Sequence, residues 1–454
     1  MPTASLRLSS TPAGELATAL AAIPSSLGLT REFPPLDIPS PALPEADLTH
    51  LAFVTVDPPG ATDLDQAFLL ERDGEGYLVH YAIADVALFV EPGSPLDAEA
   101  RRRGQTIYAP DGRIPLHPPA LSEGAASLLP GVERSAYVWR FELDGTAAVL
   151  STSLTRARVR SCAQLTYETV DEPLLREIGE KRIQLERARG GASLTLPETE
   201  IEENDGVYSL ERREPLPAEA WNAQLSLMTG MAAAELMLGA KVGILRTMPE
   251  ADPSAVDSFR LQSRALGIPW AADVPYGDYL RGLDTSTPAG LAIMYAAASL
   301  FRGAGYTVFD GSLPAEIEQA AVGAPYAHAT APLRRLVDRF VLAACESIAN
   351  DRQVPDWVRE ALPELPGIMA ASGSLAGQVD RQAIDTIEAA LLHGRVGEPF
   401  DATVISARAR SGTIQLADPA VTASCDGALE AGSVIRARLD VAEISTATVR
   451  FSVV

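Results

Sequence analysis

The sequence predicts an α+β protein with a short helical segment at its start, strands and helices in its central part and a small β-barrel at its end. An apolar run of β-type residues, Phe53 to Val56, precedes a hairpin pattern in which 67–70 pairs with 77–84 across DGEG. Four short β-type runs with turns between them follow residue 393. At 454 residues and 47% apolar content, the chain can bury a large core and form two or three domains.

The first predicted unit, residues 1–45, is rich in Pro, Ser and Ala. Gly14 to Ala22 (GELATALAA) has the composition of a helix, and the stretch PPLDIPSPALPE after it reads as a linker. A small docking helix and a truncated helix-turn-helix are both compatible with this segment.

Composition excludes several classes of protein. No apolar run reaches the roughly 18 residues of a membrane span, and the three cysteines are far apart, so we expect a soluble, cytoplasmic chain. A net charge of −23 argues against a protein that coats nucleic acid over its whole surface, although it does not exclude a local basic channel.

The second predicted unit, residues 46–392, begins with the acidic stretch FVTVDPPGATDLDQ. Asp57 ends the predicted strand, a Pro-Pro-Gly turn reverses the chain, and Asp63 and Asp65 stand two residues apart, which puts both on one face of an extended segment. Carboxylates gathered this closely repel one another unless a cation or hydrogen-bond donors neutralise them. Mg²⁺ is the natural cation, because it takes oxygen ligands and often retains substrate phosphate. A solvated surface turn is the alternative.

An ordered set of motifs follows the acidic stretch. They are DPPGATDLD (57–65), IADV (83–86), SLLPGVER (127–134), RARGGASLTLPETEI (187–201) and YAHATAPLRRLVDRFV (326–341). In sequence and order this set resembles the RNB catalytic domain of the ribonuclease II family of exoribonucleases. The resemblance implies a mixed β-sheet core with surrounding helices for this unit.

The third predicted unit, residues 393–454, resembles the S1 domain of that family, an OB-fold that binds RNA. A structural β-cap is the alternative. Better-known members also carry two cold-shock domains ahead of the catalytic domain, and residues 1–45 are too few to form them. We therefore expect a short variant of the family.

The resemblance implies a hydrolytic, processive 3′-to-5′ exoribonuclease that releases nucleoside 5′-monophosphates with the help of Mg²⁺ or Mn²⁺. It assigns the metal to Asp57, Asp63, Asp65 and Gln66, with Asp65 at the most sensitive position. It also assigns transition-state stabilisation to Arg334, whose alternative role is an ion pair with Asp338 on one helix. We expect Pro332 to start that helix.

The resemblance also implies RNA contacts. Tyr108 matches an aromatic clamp that stacks on a base, which holds every base without reading it. Arg156, Arg158 and Arg160 alternate along one strand and share a face. The further predicted RNA-binding residues are His328, Arg335 and Asp380.

One departure from the family pattern concerns the metal. The family follows its central aspartate with another, whereas this chain has Gln66, so we expect looser metal binding and a higher metal requirement. Two other functions remain open. One is a catalytically weakened RNA-binding protein of the same fold, and the other is a metal-dependent phosphohydrolase that acts on small nucleotides.

Overall fold

The computed structural model describes residues 10–110, 112–192, 198–204, 207–213, 215–285, 287–416 and 421–454. Residues 193–197 of the motif at 187–201 and residues 1–9 of the N-terminal segment lie outside this description.

The centre of the molecule is a closed five-stranded barrel. Its strands are β1 (Phe53–Asp57), β2 (Gln66–Asp73), β3 (Gly76–Ala84), β6 (Glu133–Leu143) and β7 (Val149–Thr166). Its pairs are antiparallel except that β1 runs parallel to β7, with Asp57 beside Thr166. The predicted strand at Phe53 and the predicted hairpin are both confirmed.

Both faces of this barrel are covered, and its strands contribute buried apolar residues to two separate clusters. Tyr81 and Trp139 lie in the main core, while Ala82 and Val138 lie in a second cluster with Leu64 and Leu128. Buried sheets of this kind need helices on the outside to exclude water.

The covering helices and the N-terminal helix account for the predicted α component. They are α1 (Ser10–Ser26), α2 (Pro95–Arg103), α3 (Pro173–Ala188), α4 (Pro217–Ala240), α5 (Pro253–Ala265), α6 (Tyr276–Arg281), α7 (Pro288–Ala297), α8 (Leu336–Ala349), α9 (Asp356–Ala361) and α10 (Leu365–Leu392). Helix α1 contains the predicted run Gly14 to Ala22. Within the described residues, no helix is both long enough and apolar enough to cross a membrane.

Four short two-stranded pairs lie outside the barrel. They are β4 (Ile107–Ala109) with β5 (Gly112–Ile114), β8 (Glu198–Asn204) with β9 (Val207–Arg213), β10 (Val242–Thr247) with β11 (Gly305–Asp310), and β12 (Glu318–Gln319) with β13 (Ala324–Pro325). The first pair matters most for the site, because it carries Tyr108.

The C-terminal barrel is the second closed barrel, as the sequence predicts. Its strands, in chain order, are β14 (Pro399–Ala407), β15 (Ser411–Leu416), β16 (Thr422–Asp426), β17 (Val434–Glu443) and β18 (Thr448–Val453). Its interior forms one apolar cluster with Leu16 and Leu20 of α1, Val379 of α10 and Ile107 of β4. Helix α1, helix α10 and the barrel are therefore packed as a unit behind the β4–β5 hairpin.

Candidate active site

The acidic loop, residues 58–65 between β1 and β2, is held by backbone contacts on both sides. Gly60 turns the chain with φ of +78°, a conformation that glycine adopts without steric cost. The backbone N–H of Leu64 donates to Ser127 Oγ at 2.9 Å, and its carbonyl accepts from Leu128 at 3.0 Å. The carbonyl of Asp65 accepts from Ala84 at 2.9 Å. These hydrogen bonds fix the backbone positions from which the acidic side chains extend.

The arginine turn, residues 331–335, faces this loop from the other side. Its conformation corrects one sequence expectation, because α8 begins at Leu336 and Arg334 lies in the turn before the helix. It is Arg335, not Arg334, that pairs with Asp338, through Nε at 2.9 Å and Nη2 at 2.7 Å. Arg334 is thus left to face the acidic loop.

Asp65 joins the two segments. Its side chain is 8% exposed, Oδ1 accepts the backbone N–H of Leu333 at 2.8 Å, and Oδ2 lies 3.6 Å from Arg334 Nε. Burial raises the pKa of Asp65 to about 8, although Arg334 and the Leu333 N–H favour the charged form. A buried carboxyl with these contacts would gain from a further positive charge nearby.

The carboxyl of Asp57 also has a raised pKa. Burial and the charge of Asp63 raise its pKa to about 6, while Arg334 opposes the rise. Its buried Oδ2 accepts no hydrogen bond from the described residues. An acceptor left without a donor at a protein interior is costly, so this oxygen also favours a cation or a donor from outside the chain.

Asp63 has a different partner. Its Oδ1 lies 2.7 Å from Nη1 of Arg113, whose Nη2 lies 2.7 Å from Oε1 of Glu123. The buried Leu64 separates Asp63 from Asp65, in keeping with an extended segment. Arg113 was not singled out by the sequence; the one available signal was its position across a short turn from Tyr108.

Gln66, the remaining predicted metal ligand, makes hydrogen bonds with both ends of its amide. Its Oε1 accepts from Tyr81 Oη at 2.6 Å and from Ser226 Oγ at 3.2 Å. Its Nε2 donates to the Thr330 carbonyl at 2.7 Å. The amide therefore ties β2 to β3, α4 and the segment before the arginine turn, and its role as a ligand stays a prediction.

The β4–β5 hairpin brings Tyr108 to the site. Tyr108 is 50% exposed and lies directly across the hairpin from Arg113. Burial on one side raises its pKa, to which the charges of Asp63 and Asp65 add. The Thr106 N–H donates to the Arg334 carbonyl at 2.9 Å, so the hairpin is bonded directly to the arginine turn.

The three arginines of β7 do share a face, with Ala157 and Val159 buried between them. Arg156 pairs with the buried Asp85 at 2.5 Å, and Arg158 pairs with Asp47 at 2.8 Å. Arg160 is exposed. The face exists, but two of its three guanidinium groups are already bonded within the chain.

The last three predicted RNA-binding residues lie in different surroundings. Arg335 is bonded to Asp338, and His328 Nδ1 lies 2.8 Å from Tyr306 Oη. Burial lowers the pKa of His328 well below its usual value. Asp380 lies on α10 and, within the described residues, no hydrogen bond or ion pair joins it to Asp65 or Arg334. Their roles stay predictions.

The donor chemistry fits a divalent cation in part. Asp57 Oδ2 accepts no hydrogen bond from the described residues, and Asp65 is bonded to the Leu333 N–H and lies 3.6 Å from Arg334. Asp63 and Gln66 are bonded to other side chains. In the described part of the chain, no three His, Cys, Asp or Glu side chains are grouped so that they could hold a metal ion. Mg²⁺ sites often use one or two carboxylates and complete their shell with water and substrate phosphate, and the metal stays a prediction.

Comparison with known families and curated proteins gives a consistent result. The family model for the RNB domain matches residues 45–350, and the model for the RNase II-type exonuclease C-terminal S1 domain matches residues 398–454. Ribonuclease R of Escherichia coli is 29% identical over 326 residues, which are 64% of this chain and 39% of the relative. The exosome complex exonuclease RRP44 homolog A of Arabidopsis thaliana is 28% identical over 322 residues, 65% of this chain and 34% of the relative. The chain thus spans less than half the length of these relatives.

Solved structures share the fold. The structure of Mycoplasma genitalium RNase R in complex with ribose-methylated single-stranded RNA has a TM-score of 0.84 at 19% identity, covering 97% of this chain and 78% of that one. Yeast Ssd1, described as a pseudonuclease, has a TM-score of 0.73 at 17% identity, covering 93% and 57%. At these identities, the likeness concerns the fold alone.

Proposed function

We propose, from the premise that this chain belongs to the RNB-domain family of ribonucleases, that it is a hydrolytic 3′-to-5′ exoribonuclease. It would degrade single-stranded RNA processively to nucleoside 5′-monophosphates. The observation that supports this proposal is the position of the Arg334 guanidinium, whose Nε lies 3.6 Å from Asp65 Oδ2 and whose charge lowers the pKa of Asp57 against the effect of burial. A divalent cation held by the two acids, together with the arginine, would suit a phosphodiester, which carries negative charge and gains more as water attacks.

Arg334 would bind the scissile phosphate. Its side chain is 47% exposed, and its Nε is 3.6 Å from Asp65 Oδ2, so its other guanidinium nitrogens remain accessible to a substrate. A guanidinium is planar, always charged and able to donate two parallel hydrogen bonds to phosphate oxygens. Asp65, held by the Leu333 N–H, would keep that guanidinium oriented.

Asp57 and Asp65 would hold Mg²⁺, or Mn²⁺ in its place. Such a cation supplies Lewis-acid stabilisation of phosphoryl oxygens and lowers the pKa of a coordinated water. Because burial leaves both carboxyls with raised pKa values, loss of their protons would accompany binding of the ion. The buried barrel strands on either side would exclude bulk water from this end of the site.

Tyr108 would stack on a base near the 3′ end. Half of the side chain is exposed, and the Thr106 bond to the Arg334 carbonyl supports a fixed spacing between this ring and the phosphate-binding arginine. Arg160, the exposed arginine of β7, is the first candidate for backbone contact farther along the RNA. The predicted contacts of Arg156, Arg158, His328, Arg335 and Asp380 are retained as proposals for the RNA-bound state.

A catalytically weakened RNA-binding protein is the second candidate function. The observation that favours it is that two of the four predicted ligands, Asp63 and Gln66, are bonded to other side chains. The same assay separates the two functions. With 5′-labelled single-stranded RNA and Mg²⁺, a ladder that collapses to a short end product supports the exoribonuclease, and binding without shortening supports the second candidate. Asp65→Asn is the matched control and should bind RNA without shortening it.

A further inference from the structure

Arg103 is a buried cation at the base of the β4–β5 hairpin. It is the last residue of α2, and β4 begins soon after it at Ile107. Its side chain is 4% exposed, and its Nε donates to Oε1 of Glu99 on the same helix at 2.7 Å. Its guanidinium carbon lies 3.8 Å from the centre of the Phe33 ring. Because a guanidinium carries only N–H donors, a buried one needs several oxygen atoms around it.

Backbone carbonyls from two separate segments accept the other hydrogen bonds of Arg103. Nη1 donates to the carbonyl of Thr30 at 3.1 Å and Nη2 to that of Glu32 at 2.7 Å, and both belong to the connecting stretch, residues 30–33, that follows α1. Nη1 also donates at 3.1 Å to the carbonyl of Pro115, directly after β5. One guanidinium thus joins the connecting stretch to the end of the hairpin that carries Tyr108.

Apolar packing supports the hairpin from the same N-terminal segment. Leu16 and Leu20 of α1 are buried in one cluster with Ile107 of β4 and Ile114 of β5. Ile107 and Ile114 lie directly opposite each other in the hairpin and share a face. Tyr108, the neighbour of Ile107, lies on the other face and is 50% exposed. The N-terminal segment therefore packs behind the hairpin, on the face away from the Tyr108 ring.

We propose that Arg103 is a positioning residue: by joining the connecting stretch to the hairpin, it fixes the place of the Tyr108 ring. This inference rests on the proposed function, in which that ring stacks on a base of the RNA. A ring that is held in place before RNA arrives loses little conformational entropy on binding, so more of the stacking free energy appears as affinity. The N-terminal segment thereby helps to hold the RNA from behind the hairpin, without contacting the RNA itself.

The test is a double-variant cycle on the full-length protein. Its readout is the affinity for a fluorescein-labelled single-stranded oligoadenylate, measured by fluorescence anisotropy in EDTA, which prevents metal-dependent cleavage. Tyr108→Ala should weaken binding about tenfold, in the range expected for one stacked base. Arg103→Gln should weaken it about threefold or more. Adding Arg103→Gln to Tyr108→Ala should cause no further loss, because Arg103 acts through the ring.

Arg102→Gln is the matched control, since Arg102 lies beside Arg103 on α2, has a side chain that is 54% exposed and is bonded to the same Glu99. It should bind RNA like the wild type. Hydrogen exchange without RNA is the second readout, and the amides of the hairpin should exchange faster in Arg103→Gln than in Arg102→Gln. If Arg103→Gln does not fold, Phe33→Ala replaces it, because it removes the ring beside the guanidinium and leaves the hydrogen bonds.

Wild-type RNA affinity or unchanged hairpin exchange in Arg103→Gln would overturn the inference, and so would an additive loss of affinity in the double variant. Wild-type affinity of Tyr108→Ala would overturn the stacking role of Tyr108 and this inference with it. Hydrogen exchange separates the two failures, because faster hairpin exchange in Arg103→Gln then shows that the hairpin is supported although its ring does not stack.

Discussion

Replacing Asp65 with Asn should remove a pH dependence of stability that the buried carboxyl creates. Burial raises the pKa of Asp65 from 3.8 to about 8. The folded protein therefore holds this proton more tightly than the unfolded chain. The contribution of the protonated carboxyl to the unfolding free energy is complete below the unfolded pKa and is lost as the pH rises toward 8. One pKa unit corresponds to about 1.4 kcal/mol, so the wild type should lose about 3 kcal/mol of unfolding free energy between about pH 5 and about pH 7.5, relative to Asp65→Asn.

Urea unfolding of both proteins in EDTA at those two pH values measures this difference. Titrations shared by the two proteins, such as those of the histidines, cancel in the comparison. Added Mg²⁺ should stabilise the wild type more at the higher pH, because the ion binds the deprotonated carboxylate, and should stabilise Asp65→Asn far less. Parallel pH dependences for the two proteins in EDTA would refute the argument, since Asp65 would then titrate as an ordinary exposed acid.

Three further predictions concern the other parts of the site. Tyr108→Ala should lengthen the final RNA product on a denaturing gel, because the terminal base loses its stacking partner. An unchanged product length would show that the Tyr108 ring is structural, and Tyr108→Leu tests whether an apolar side chain without a ring is sufficient. Arg334→Lys should lower turnover by about 10² or more with nearly unchanged RNA affinity in a filter-binding assay, because lysine lacks the bidentate fork; near-normal turnover would contradict its role. Gln66→Asp should cost about 1–3 kcal/mol in urea unfolding, because the Thr330 carbonyl loses its donor. A lower metal requirement in Gln66→Asp would instead show that position 66 faces the cation.

The sequence predicted strands of both barrels because strand patterns are local, but it predicted a closed barrel only after residue 393; the central sheet was expected as a mixed sheet, and the structure closes it into a barrel. The apolar run Phe53 to Val56, the hairpin after Gln66 and the alternation along Arg156 to Arg160 all follow from the period of a strand. In the C-terminal barrel, four of the five strands overlap predicted runs, and Thr422–Asp426 was missed because TASCD lacks a distinct β-type run. The assignment to the RNB family rested on motif order rather than on this periodicity.

The contacts of the site residues could not be predicted from local sequence patterns. Arg113 lies 50 positions from Asp63, and Gln66 lies 264 positions from Thr330, so nothing in the spacing indicates either contact. The start of α8 was expected at Pro332, a residue that favours the first turn of a helix. The structure instead begins α8 at Leu336, because the Ala331 N–H and the Arg335 guanidinium both bond to Asp338 and hold 331–335 as a separate turn.

The most direct test of the central claim is the fate of the last nucleotide of an RNA in the first turnover. A single-stranded RNA is labelled with ³²P at the phosphate of its 3′-terminal nucleotide and is mixed with excess protein and Mg²⁺. A 3′-to-5′ hydrolytic exoribonuclease releases the label at once as nucleoside 5′-monophosphate, and Asp65→Asn and Arg334→Lys release it far more slowly. Label that stays in the full-length RNA while the protein binds it, or that leaves only as an oligonucleotide, would contradict the proposed function.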